Sequence, residues 1–96
     1  VVFLTDFGRT PKVNANGGRD HHPGVYSLAF AGGGISGGQV YGASDKKGIE
    51  PSSGDCTPAD IHATVFKAMG INPNAELHDQ LDRPYRICDG KPLPIV

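Results

Sequence analysis

No tryptophan and only one methionine occur in the 96 residues, and 38% of the chain is hydrophobic, which allows one modest core and no second domain. Cysteine is nearly as scarce. Cys56 and Cys88 lack the CxxC spacing that presents two thiolates to one zinc ion, and two cysteines are too few for a disulfide framework, leaving a single bridge or two unpaired thiols. Charge of one sign is missing too: nine Lys plus Arg against ten Asp plus Glu leave a formal net charge of -1, so no overall basic field draws the chain to nucleic acid or anionic lipid. No apolar run approaches the roughly 20 residues that span a bilayer. An initiating methionine and the charged flank and cleavage site of a signal peptide are also absent, and the opening on Val1-Val2-Phe3-Leu4 reads as the interior of a longer protein.

What is abundant is glycine and proline, fourteen and eight residues, which predicts many turns and loops; 20% charged residues is ordinary for a globular chain and argues against full disorder. Val1 to Leu4, ending on Thr5-Asp6, has the pattern of a strand buried on both faces, as in parallel sheets. From Phe7 to Pro23 there is no periodicity, and the stretch reads as a long loop of the kind that is often functional. Val25 to Ala31 is a second strand candidate stopped by Gly32-Gly33-Gly34, and Gln39 to Gly42 a short third one; Asp45 to Asp55 reads as polar connection. Thr57-Pro58-Ala59-Asp60 is a helix start, with a capping hydroxyl, a proline that sacrifices no hydrogen bond and an acid in the first turn. Ile61, Val65, Ala68 and Met69 form the apolar stripe of that helix, Gly70 closes it, and Pro73 prevents its restart. Beyond Asn74, Leu77, Leu81, Tyr85 and Ile87 are scattered anchors of a polar tail.

Among groups that carry chemistry, Asp6 stands first, because ligands of open α/β sheets bind at the carboxyl ends of strands; a turn or cap carboxylate is the competing assignment. Gly17-Gly18-Arg19-Asp20-His21-His22 combines imidazole with carboxylate, a ligand set for zinc, manganese or iron, although adjacent histidines diverge and at most one faces a given ion. Arg9 and Arg19 offer guanidinium forks to phosphate or sulfate oxygens, or else serve as surface charge. Gly32 to Gly38 lacks the Lys-Ser/Thr ending of a phosphate-binding loop and reads as a turn. His62, off the apolar stripe, and His78, in the tail, read as structural or exposed. No GxSxG is present and neither cysteine lies near a histidine, so this chain holds no evident nucleophile and no catalytic residue.

Five blocks, taken in order, resemble the C-terminal part of the domain-of-unknown-function family 1501: Thr5 to Pro11, Gly17 to His21, Ala31 to Ile35, Gly37 to Gly42 and Asp60 to Thr64. Members of that family look like distant relatives of alkaline phosphatases and sulfatases, and they often look exported from bacterial cells. The resemblance implies an α/β fold, with residues 1–96 a single incomplete domain from the C-terminal part of a sulfatase-like sandwich, comprising a few strands, one clear helix and long loops, completed by the remainder of its own domain. In that superfamily a strand ends in an Asp-His-Gly motif whose Asp and His bind metal, which Asp6-Phe7-Gly8 resembles except that Phe7 cannot coordinate. His21 resembles a later loop histidine that completes the other metal site. The helix from Thr57 to Ile71 resembles a packing element.

The resemblance therefore implies a metal-dependent hydrolase of phosphate or sulfate esters, using zinc, manganese or calcium, with Asp6 and His21 as metal ligands and Arg9 and Arg19 near a small anionic ester. The superfamily's nucleophile lies upstream of the segment represented here, so these residues alone should be inactive. The competing expectation is a non-catalytic exported protein that keeps the scaffold for binding, since fold does not dictate activity.

Overall fold

The computed structural model describes all residues, 1–96, and divides them into two units, 1–31 with 40–55, and 32–39 with 56–96. The first unit holds six very short strands: β1 (Val2–Phe3), β2 (Gly8–Arg9), β3 (His21–His22), β4 (Ala29–Phe30), β5 (Ala43–Ser44) and β6 (Pro51–Ser53). They form three antiparallel pairs, β1 with β4, β2 with β3 and β5 with β6. The second unit contains one helix, α1 (Pro58–Ala68), and an antiparallel pair of β7 (Glu76–His78) with β8 (Pro84–Arg86). The protein is thus a small, strand-rich mixed α/β chain with one helix and several small sheets.

The strand readings are corrected in three places. Val1 to Leu4 was expected to be covered on both faces, but β1 has only the antiparallel neighbour β4, and Val1, Phe3 and Leu4 are 93%, 72% and 58% exposed. A two-stranded ladder has no further strand to cover an apolar run. The strand expected over Val25 to Ala31 is confined to Ala29–Phe30, and the Val25 carbonyl and Tyr26 Cβ instead pack closely over Gly8. Gln39 to Gly42 is not a strand. Gly42 has φ +83°, outside the extended region, and its backbone lies against Gly54, so pairing starts only at Ala43.

The stretch from Phe7 to Pro23 is not structureless either. Thr10 N donates to Asp20 O at 2.9 Å, and Asp20 N donates to Thr10 Oγ1 at 3.1 Å, continuing the β2–β3 ladder outward. Asn14 closes its tip: Oδ1 accepts from Asn16 N and Gly18 N, while Nδ2 donates to Asp20 Oδ1. Such side-chain substitutes for backbone pairing leave no hydrophobic period to detect. The Asp45 to Asp55 connection is likewise ordered, into a turn folded on Asp45 and the strand β6 that pairs with β5.

Helix α1 forms where its capping residues place it. Thr57 Oγ1 accepts from Asp60 N and the Asp60 carboxylate accepts from Thr57 N at 2.8 Å, a reciprocal cap with Pro58 at the first helical position. Ile61, Ala63 and Thr64 are the buried helical positions, whereas Met69, expected on the apolar stripe, is 70% exposed beyond the last turn. The core lies in this second unit, where Ile61 and Ala63 are joined by Cys88, Leu93 and Ile95 from the C-terminal tail. Three polar contacts bind the tail to the helix: Cys88 Sγ donates to Ala59 O, Lys91 N to Asp60 Oδ1, and Leu93 N to Thr64 Oγ1. Gly90 packs directly on the backbone of Ala59 and Asp60, leaving no room for a side chain. Cys88 is a buried free thiol, so no bridge joins the two cysteines. No helix is long and apolar enough to cross a membrane.

Candidate functional site

The β2–β3 ladder gathers most of the residues singled out by sequence. Opposite residues of an antiparallel pair share a face and successive residues alternate between faces. Arg9 is paired with His21 and Gly8 with His22, so the two adjacent histidines diverge to opposite sides. On the Arg9–His21 side the organising group is Phe7. Its ring lies 3.9 Å from the His21 ring, centroid to centroid, at an interplanar angle of 31°, and the Arg9 guanidinium carbon is 5.5 Å from its centroid. An aromatic face attracts a cation through its quadrupole, so Phe7 orients Arg9 without neutralising it.

Asp6 sits beside this cluster and is exposed; its Oδ1 accepts from Phe7 N at 2.9 Å, which holds the carboxylate over its own turn. Thr5 Oγ1 donates to Phe7 O at 3.0 Å and tightens the same turn. One carboxylate oxygen of Asp6 thus serves the turn, and the other has no protein partner. The exposed His21 ring has no hydrogen-bond partner, so its nitrogens are open to a ligand. Arg9 Nη1 donates to Arg19 O at 3.3 Å, leaving further N–H groups for an anion. Arg19 enters the cluster only through that carbonyl; the structure does not bring its guanidinium to Phe7 or His21.

The donor chemistry here, one carboxylate oxygen and one imidazole, suits a divalent metal in kind. In number it falls short, because no group of three or more His, Cys, Asp or Glu side chains converges anywhere in the chain, and a catalytic zinc ordinarily takes three protein ligands. Asp6 and His21 alone do not make a metal centre. His22 is committed elsewhere: its Nε2 lies 2.8 Å from Ile49 O, and since a carbonyl only accepts, Nε2 carries the proton and donates. The glycine run is no phosphate cradle. Gly34 is packed against Ala68 O at the carboxyl end of α1, where the helix dipole repels an anion.

Two features escaped the sequence reading. Phe7 had been considered only as a lost ligand, yet it is the contact centre of the cluster. Residues 45–50 had been taken as connection, but Asp45 folds them: Oδ1 accepts from Ile49 N at 2.9 Å and Lys47 N at 3.1 Å, and Asp45 N donates to Glu50 O. The amides of Ile49 first, with Glu50 and Lys47, hold the Asp45 carboxyl below its usual value against a smaller opposing effect of desolvation. The Asp-Lys-Lys-Gly text was the available signal, an acid two residues ahead of an amide it can accept from and a glycine with φ +68° at Gly48.

No curated protein and no solved structure matches the chain. A family model described as a protein of unknown function (DUF1501) matches residues 1–95, nearly the full length, and the chain belongs to that family.

Proposed function

We propose that the protein is a metal-assisted hydrolase of phosphate or sulfate esters with an alkaline phosphatase or sulfatase-like sandwich, to which these residues contribute part of the site. The supporting observation is the β2–β3 pairing, which brings His21 and Arg9 together around Phe7, next to Asp6. In this reading Asp6 and His21 are two of the ligands of a zinc, manganese or calcium ion, and Arg9 binds the ester's anionic oxygens, with Arg19 assisting from the adjoining loop. Further ligands and the nucleophile come from outside residues 1–96. A guanidinium held by an aromatic face and one carbonyl loses little freedom on binding an oxyanion, which suits it to that role.

A second reading, a non-catalytic binding protein on the same scaffold, is favoured by Phe7 itself, which fills a position where a ligand would be expected and stacks on His21. Turnover separates the two. The full-length protein is assayed against aryl phosphates and aryl sulfates with zinc, manganese or calcium added; the hydrolase reading predicts saturable hydrolysis that Arg9→Ala weakens mainly through KM. Absence of turnover under every combination would overturn it in favour of binding alone.

A further inference from the structure

The opposite face of the β2–β3 ladder carries a second feature that none of the above uses. Three segments of the first unit, the turn after β2, the end of β3 and the Asp45-folded loop, border an open depression of about 500 Å³ lined by Thr10, Pro11, Lys12, His22, Lys47 and Ile49. That volume falls within the usual range of small-molecule sites. The depression is assembled by specific contacts. His22 Nε2 donates to Ile49 O, fastening the loop to the ladder, and Gly48 approaches Pro11 Cγ closely enough that an added Cβ would lie 3.5 Å away. Gly24 leaves space for the His22 ring, whose Cε1 and Nε2 would lie 3.3 Å from a Cβ there. Asp45 spends one carboxylate oxygen on the amides of Lys47 and Ile49, so both side chains project from a turn with a fixed backbone.

The polar groups of the lining sort into occupied and open. Thr10 Oγ1 donates to Lys12 O and accepts from Asp20 N, and His22 Nε2 is used as described. Lys12 and Lys47 remain: neither pairs with a carboxylate, the single ion pair of the protein being Asp79 with Arg83. Two exposed lysines without a carboxylate partner thus contribute to the same, largely apolar lining, beside Pro11 and Ile49. A lysine without a carboxylate partner can take an oxyanion as its counter-charge.

We propose that this depression binds a small organic oxyanion, a phosphate or sulfate group on an apolar body, with Lys12 and Lys47 on the anion and Pro11 and Ile49 against the body. The site is independent of Asp6, His21 and Arg9, so it stands or falls separately from the hydrolase reading. Lysine suits it as a point charge that follows a ligand of varied geometry.

Phenylphosphonate, which is not hydrolysed, is titrated calorimetrically into the full-length protein at low ionic strength. Saturable binding is expected, weakened about tenfold or more in Lys12→Gln/Lys47→Gln and weakened again by added salt, as screening of exposed charges requires. Lys46→Gln, an exposed neighbour outside the lining, should leave it unchanged. Lysine acetylation with mass-spectrometric readout gives a measurement on the unaltered protein: phenylphosphonate should protect Lys12 and Lys47 and spare the other lysines. Loss of binding in Arg9→Gln with retention in the double lysine variant would overturn the proposal, as would unprotected Lys12 and Lys47 at saturation. Inorganic phosphate binding as tightly as phenylphosphonate would overturn the role assigned to Pro11 and Ile49.

Discussion

Thr64 offers the sharpest test of how the second unit is held together. It is fully buried, its Oγ1 donates to Asp60 O at 2.7 Å, and the same oxygen accepts from Leu93 N at 2.9 Å. Replacement by valine keeps the volume and removes both bonds. Asp60 O loses little, because it still accepts the helical amide of residue 64. Leu93 N, on a residue only 8% exposed, is left with no partner beside a methyl group. An unsatisfied buried donor costs about 1–3 kcal/mol, and that is the expected loss for Thr64→Val. Thr64→Ser retains the hydroxyl and loses one methyl, about 1 kcal/mol; Thr64→Ala suffers both effects. The order of damage is therefore Ser, then Val, then Ala. Amide hydrogen exchange at Leu93 in the full-length protein reads the effect locally, since an amide exchanges through the opening of its own bond. Exchange should accelerate roughly 5- to 150-fold in the valine variant, the equivalent of about 1–3 kcal/mol. A valine variant with unchanged exchange, or a serine variant as damaged as valine, would refute the assignment of that hydroxyl as the tie between helix and tail.

Gly90→Ala should be more severe, upwards of about 2 kcal/mol, because its Cβ would overlap the Ala59 carbonyl and the Asp60 amide, both backbone and unable to yield; Gly33→Ala, with nothing within 4 Å, should stay within about 0.5 kcal/mol, and comparative urea melts of the two decide. Asp60 should make the tail contact acid-sensitive. The amide of Lys91 first, and that of Thr57 next, hold its carboxyl below the usual value, so the stabilisation is complete above the unfolded value of about 3.9 and is lost as pH falls through the lower folded value. Lys91 amide exchange followed downward from pH 5 should show that acid limb in the wild type, and an identical limb in Asp60→Asn would refute it.

Helix α1 was readable because its boundaries are written in side chains: Thr57, Pro58 and Asp60 at the start and Gly70, with φ +79°, at the end. The buried positions were less so. Met69 continues the helical period but lies past the last turn, and Thr64, polar and off the apolar count, proved the largest fully buried side chain. Strands were the hardest. Two or three residues are too few to show alternation, and here the pairing is set by Asn14, Thr10 and Asp20 in one hairpin and by Asp79 in another. Asp79 accepts from the amides of Leu81 and Arg83 and from Arg83 Nε, turning the supposed tail into β7 and β8. Asp6, Arg9 and His21 were singled out as candidates from residue type and order, and the divergence of His21 and His22 follows from strand geometry. Neither the centring of that cluster on Phe7 nor the sharing of one depression by Lys12 and Lys47 was legible, since both depend on which distant segment lies beside which strand.

The hydrolase reading rests on Asp6 and His21 holding metal, and direct elemental analysis of the purified full-length protein tests that most plainly. The wild type should carry a divalent ion, and both Asp6→Ala and His21→Ala should retain markedly less of it at equal folding. Metal content unchanged in both variants, or a wild type that takes up none, would contradict the account.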